Sequence, residues 1–173
     1  MRTGVLTALI IGAGLWFGAL AHAQQPAPPA PAPAAPSPPP EYGPPVTNEQ
    51  AKAAAAAAFA EAKKNNWRMA FTIVGPAGEL VYFEKMDGTQ HASIDISRAK
   101  ARTAVFYRRP SKAFADQYAA GNTAFTTFPE QPIASEGGVL IIFNGKVVGA
   151  IGASGGTGQQ DGIAATAAAS AVK

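Results

Sequence analysis

The stretch from Met69 to Lys85, MAFTIVGPAGELVYFEK, decides the fold. Met69 to Val74 is a continuous apolar run that reads as a buried strand, Gly75-Pro76-Ala77-Gly78 supplies a turn, and Glu79 to Lys85 returns as its antiparallel partner. A second hairpin follows much later, with Gly138 to Phe143 and Lys146 to Ile151 joined around Asn144-Gly145, a dipeptide suited to a type I′ turn. Turns this short connect antiparallel strands, because a parallel pair needs a crossover of about a dozen residues or more. The fold class is therefore α/β of the α+β type, an antiparallel sheet flanked by helices, and a doubly wound nucleotide fold is excluded.

Working outward, Thr47-Asn48-Glu49-Gln50 is a capping box that opens a helix, whose body from Ala51 to Lys64 is dominated by alanine. Asn65-Asn66 stops it. A second helix is expected from about Ser93 to Tyr107, with His91, Ile94, Arg98, Ala101 and Val105 recurring at three- and four-residue steps along one face. Pro110 ends it, and Ser111 is placed to cap a shorter helix reaching Tyr118. Asn122 to Glu136 reads as a long irregular loop, and Thr157-Gly158-Gln159-Gln160 repeats the capping box before a final alanine-rich helix. Two helices so poor in bulky residues leave flat surfaces that a lone domain buries poorly, so a homo-oligomer is expected.

The N-terminus carries a different signal. Arg2, the apolar run from Val5 to Leu20 and Ala21-His22-Ala23 form the three regions of a secretory signal peptide over 1–23, with cleavage before Gln24. The run is broken by Gly12, Gly14 and Gly18 and is shorter than a membrane span, so no span is expected after cleavage. Residues 24–46 are almost entirely Pro, Ala, Gln, Ser and Gly and read as a solvated linker, with the folded domain over 47–173. The expected location is outside the cytoplasm, periplasmic or secreted. The chain has no cysteine, so a disulfide framework and a thiolate site are unavailable. A formal net charge of +3 without a basic stripe argues against a nucleic-acid partner.

Several short motifs then fall in one order: Phe83-Glu84-Lys85-Met86-Asp87-Gly88, Lys100-Ala101-Arg102-Thr103-Ala104, Gly137-Gly138, and Gly149-Ala150-Ile151-Gly152-Ala153-Ser154-Gly155-Gly156. In sequence and spacing they resemble the GlcG/HbpS haem-binding family, which also includes the C-terminal domain of PduO-type cobalamin adenosyltransferases. The resemblance implies a profilin-like antiparallel sheet, assembly into dimers or larger rings, and haem or a related tetrapyrrole as ligand.

Once the signal peptide is removed, His91 is the single histidine, at the entrance of the second helix near Met86 and Tyr82. A neutral imidazole there suits an axial haem-iron ligand; the alternative is a solvent-facing loop histidine. Met69 and Met86 are available as sixth ligands or as core filler, and Tyr82 and Tyr107 are fallback ligands. Arg98, Arg102, Arg108 and Arg109 offer guanidinium forks for a propionate, or form an ordinary solvated face. Ser154, Gly155 and Gly156 present amides at a helix N-terminus, or only allow a tight turn. Asp95, four residues after His91, stands within helical reach of the imidazole. Nothing resembles a nucleophile elbow or a paired-carboxylate motif. An enzyme of small-molecule, glycolate-type metabolism and a cofactor-free oligomeric interaction module remain the alternatives to a haem-binding protein.

Overall fold

Both capping boxes form as the sequence dictates. The Gln50 amide donates to Thr47 Oγ1 and the Thr47 amide to Gln50 Oε1, opening helix α1 (Asn48–Lys64), and Thr157 and Gln160 do the same for the last helix, α4 (Gly158–Ala171). Between them the computed structural model, which describes residues 38–173, has strands β1 (Ala70–Val74) and β2 (Leu80–Lys85), and helices α2 (Ser93–Tyr107) and α3 (Lys112–Ala119). A short 3-10 turn (Ala124–Thr127) precedes strands β3 (Gly138–Phe143) and β4 (Lys146–Ser154). The signal peptide and residues 24–37 of the expected linker lie outside the described residues.

The sheet has four strands in the order β2-β1-β4-β3, every neighbouring pair antiparallel, which is the class the two hairpins dictate. At the second turn Asn144 and Gly145 both take positive φ, 49° and 73°, as a type I′ turn requires. Helices α1 and α4 cover one face, where Phe71, Ile73, Ile141 and Ile151 meet Ala51, Ala55, Ala58, Ala164 and Ala168. Helix α2 covers the other, with Ala101, Ala104 and Val105 against Val74, Val147 and Ala150. The alanine faces of α1 and α4 therefore pack on each other and on the sheet. A methyl-only face lets the two helices share one sheet face at close range, while Ala53, Ala56 and Ala60 of α1 and Ile163 of α4 stay exposed on the outer side.

The buried stripe of α2 also differs from the expected one. Ala101 and Val105 are buried, but Ile94 and Arg98 are exposed, and the inward positions are Ser93, Ser97, Lys100, Ala101 and Ala104. Small and hydroxylated residues win because α2 lies almost on the strand backbone. A Cβ added to Gly152 would sit 1.9 Å from the Ser97 carbonyl oxygen. At that range the hydroxyls satisfy one another, Ser97 Oγ with Thr72 Oγ1 at 2.8 Å and Ser154 Oγ with Ser93 Oγ at 3.2 Å.

Ser111 does not cap α3. Its hydroxyl donates to the Ser135 carbonyl and accepts from the Gly138 amide at 2.8 Å, which ties α3 to the start of β3.

The linker ends earlier than composition suggests. Strand β4 outruns β1, whose last residue, Val74, stands opposite Ala150, so Val147 and Val148 present free backbone on that side. Glu41 to Val46 fills the gap: the Val147 amide donates to the Glu41 carbonyl, the Gly43 amide to Val147 and the Val46 amide to Val148, at 2.7–2.8 Å. The Tyr42 hydroxyl donates to the Val105 carbonyl at the end of α2, at 2.8 Å, and its ring lies beneath the Arg108 guanidinium. Val46, placed in the linker on composition, is buried in the core. Removing residues 24–45 should lower the urea midpoint of the mature chain more than removing 24–37. Tyr42→Phe should account for about 1 kcal/mol of the difference.

Candidate functional site

The segment Met86–Ala92 leaves the end of β2 and delivers the chain to α2, and therefore passes from one side of the sheet to the other. It is braced at Thr89, whose hydroxyl lies 2.8 Å from the Met86 carbonyl and 3.1 Å from that of Met69. Met86 stands at its first end, half-buried against the α1 side of the core. His91 stands at its far end, exposed at the mouth of α2. Among the described residues no hydrogen bond joins His91 to Asp95. Tyr82 shares the α1 side, as its pairing with Ile73 requires, whereas Arg98 and Arg102 are on α2. The expected cluster is thus divided by the sheet: Met86 and Tyr82 on one side, His91, Arg98 and Arg102 on the other.

On the first side is an open cleft of about 350 Å³ lined by Phe59, Lys63, Asn66, Trp67, Arg68, Met86 and Asp87. It arises where α1 stops. Asn66 takes positive φ, 58°, to turn the chain, and Trp67 and Arg68 lead it back towards β1 beside the β2 end. Aromatic walls, a thioether and two cations meet there. Sequence reading singled out Met86 and Asp87 of this group, the latter as an acidic partner for His91. Trp67 and Arg68 sit in the turn between α1 and β1, and their approach to Met86 depends on the β1–β2 register.

On the other side, a cavity of about 210 Å³ lies between α2 and the loop carrying Glu130 and Gln131, with Asp95, Arg98, Arg102 and Phe106 in its wall. Arg102 is already engaged: one guanidinium nitrogen is 2.6 Å from Glu130 Oε1, another reaches the Gly78 carbonyl, and the group stacks on Phe106. Arg108 donates to the Pro40 carbonyl and Arg109 to the Tyr107 carbonyl, so both serve the local fold. Burial first, then the Glu84 carboxylate, holds the Tyr82 phenol above its ordinary pKa. Burial and Glu130 do the same to Tyr107, whose hydroxyl donates to the Glu130 carbonyl. Both phenols stay protonated at neutral pH, which weakens them as tyrosinate ligands. Met69 is wholly buried in the core and takes the filler role.

The glycines after β4 serve the turn. A Cβ on Gly155 would lie 2.1 Å from the Arg68 carbonyl, and the Gly156 amide donates to Asp161 Oδ1 at 2.9 Å, so that amide has a partner inside the chain. Asp161 in turn anchors a feature that sequence reading passed over. Lys100 Nζ lies 2.7 Å from Asp161 Oδ2 and 3.2 Å from the Ala153 carbonyl, with the two side chains only 2% and 3% exposed. The available signal was a lysine on the small-residue stripe of α2.

Residues 46–170 match the family described as Haem degrading protein HbpS-like. The chain belongs to this family. It is 38% identical over 109 residues to Protein GlcG of Escherichia coli K12, covering 63% of this chain and 81% of that protein. Among solved structures it resembles a double mutant of Streptomyces reticuli HbpS, with TM-score 0.69 and 29% identity, covering 84% of this chain and 99% of that one. It resembles the PduOC:haem complex equally well in backbone, with TM-score 0.69, but at 21% identity over 75% of this chain and 96% of that one. That likeness speaks for the fold alone. The family motifs now have physical content, since Lys100, Gly137-Gly138 and the run from Gly149 to Gly156 meet where α2, β3, β4 and α4 converge.

Lys100→Met or Asp161→Asn, each leaving one member of a desolvated pair, should cost about 3–5 kcal/mol in urea unfolding. The double variant Lys100→Met, Asp161→Leu should recover part of that loss, with the Gly156 amide still lacking its acceptor.

Proposed function

We propose that this chain is an exported haem-binding protein that receives the tetrapyrrole in the cleft at the end of α1. The observation that carries the reading is the meeting of Phe59, Trp67 and Met86 with Lys63 and Arg68 in the lining of that cleft, which Asp87 also shares. The residues fit the group. A flat apolar macrocycle stacks on aromatic side chains, its carboxylates need cations at the rim, and a thioether is an accepted iron ligand. The cleft is open, so it takes one edge of a macrocycle and leaves the other towards solvent or a further surface. Family membership supports the same ligand.

Within this reading Trp67 and Phe59 bind and orient the ring, Lys63 and Arg68 hold the carboxylates, and Thr89 keeps the Met86–His91 segment in place. His91, the single imidazole of the mature chain, stands on the other side of the sheet, so the iron donor that the cleft itself offers is Met86. When bound, haem supplies an iron centre for ligand binding or electron transfer, tuned by its axial ligands. The placement outside the cytoplasm rests on the signal-peptide pattern of residues 1–23.

Haem titration of the mature chain followed at the Soret band tests this. Wild type should bind stoichiometrically, and Trp67→Ala should weaken binding about tenfold or more, in line with the loss of a large aromatic contact. Met86→Leu should alter the Soret band while circular dichroism stays native, and His91→Ala should leave the spectrum unchanged. An unchanged Met86→Leu spectrum together with loss of the low-spin features in His91→Ala would move the group out of this cleft to the mouth of α2. Wild-type protein that takes up no haem would remove the reading and bring forward the cofactor-free interaction module. For export, mass spectrometry of protein recovered from the periplasm should give Gln24 as the first residue. An intact Met1 would contradict it.

A further inference from the structure

The cavity between α2 and the loop at Glu130 holds two charged side chains that the fold does not use. Asp95, Arg98, Arg102 and Phe106 recur at three- and four-residue steps, so they line one flank of α2, and Ala99 among them leaves the floor open. The facing wall is tied down. The Ile133 amide donates to Thr103 Oγ1 at 2.9 Å, the Tyr107 hydroxyl to the Glu130 carbonyl, and the Gln131 side chain to the Thr126 carbonyl at 2.9 Å. Arg102 closes on Glu130 at 2.6 Å, with its guanidinium carbon 4.6 Å from the centroid of the Phe106 ring. Asp95 and Arg98 are left over. Among the described residues neither side chain has an ion-pair or hydrogen-bond partner, and they do not bridge to each other although they stand one turn apart.

We propose that this cavity binds a small free amino acid as its zwitterion, with the ligand carboxylate on Arg98 and the ligand ammonium on Asp95. Charge decides the class. The wall carries two guanidinium groups and two carboxylates, of which Arg102 and Glu130 neutralise each other, so one positive and one negative group remain on neighbouring turns. A simple anion would meet Arg98 but also the Asp95 carboxylate, and a simple cation would meet the reverse. A molecule that carries both charges satisfies both. The planar guanidinium presents a donor fork to a carboxylate, and the Asp95 oxygens accept from an ammonium.

Volume limits the rest of the ligand. About 210 Å³ lies below the roughly 300–1,000 Å³ of sites for drug-sized molecules, which excludes a macrocycle and admits a single amino acid with a short apolar side chain against Ala99 and Phe106. The end of a peptide chain offers only one of the two charges, so the free molecule is the better match. This cavity shares no residue with the cleft at the end of α1, and the proposal stands independently of haem binding.

Titration of the haem-free mature chain with L-alanine, L-valine and L-leucine, followed by amide NMR shifts, tests this. At least one of the three should give saturable shifts centred on residues 95–106 and 130–133. Its N-acetylated and carboxamide forms, each lacking one charge, should bind about tenfold more weakly or worse, as the loss of a charge-assisted contact requires. Arg98→Gln and Asp95→Asn, both at exposed positions, should weaken binding by a similar factor with native circular dichroism, and Trp67→Ala should leave the titration unchanged. The absence of saturable shifts with all three amino acids, an N-acetylated form that binds as tightly as its parent, or an Arg98→Gln chain of unchanged affinity would each overturn the proposal.

Discussion

Lys100 is the constraint on which the rest of the molecule is arranged. It rises from the buried face of α2, passes the end of the sheet and meets Asp161 in the first turn of α4, with the Ala153 carbonyl as a further acceptor. A charge so deep is tolerated only where its donors are used and its partner is fixed, and Asp161 is fixed by the Gly156 amide. The geometry leaves no room for side chains around it. A Cβ on Gly138 would lie 2.2 Å from the Lys100 carbonyl, so β3 must begin with glycine for α2 to seat. The glycine-rich motifs and the lysine motif, far apart in sequence, are thus one packing unit. Its net worth against an apolar replacement is small, but it joins three elements that have few large side chains with which to specify their mutual register.

That shortage of bulk explains the segment before α1. A sheet covered by alanine helices buries less apolar surface per residue than one covered by leucine, and this chain has no disulfide to compensate. Glu41 to Val46 adds three backbone hydrogen bonds to β4, and Tyr42 adds a tie to the end of α2. Composition cannot register such a contribution. Proline excludes helix and weakens strand propensity, yet a lone extended segment needs neither when a longer neighbouring strand offers unpaired backbone.

The secondary structure was legible because each element is punctuated locally: capping boxes at Thr47 and Thr157, a type I′ dipeptide at Asn144-Gly145, and the Gly-Pro turn after β1. Antiparallel topology followed from connection length. The inward face of α2 was misread because hydrophobic periodicity assumes that bulky residues point inward, and here Ser93, Ser97 and Lys100 do so while Ile94 does not. Ser111 was misread for a related reason. A hydroxyl before a helix is a cap only if no stronger claim exists, and the start of β3 makes one.

The candidate site was the least legible part, since its members are set by which side of the sheet each residue takes. Tyr82 and His91 are close in sequence, but strand pairing sends Tyr82 towards α1, and the Met86–Ala92 crossing carries His91 to the mouth of α2. Proximity in sequence is then a poor guide, and the cleft recruits Phe59, Lys63 and Trp67 from well upstream, where α1 ends. The Met86–Ala92 segment touches both sides. Bracing by Thr89 makes that crossing stiff, so a group bound against Met86 would bear on the entrance of α2 through a few ordered residues and no long mobile loop. Thr89, buried and bonded to the carbonyls at both Met69 and Met86, is the residue through which the proposed site would be positioned.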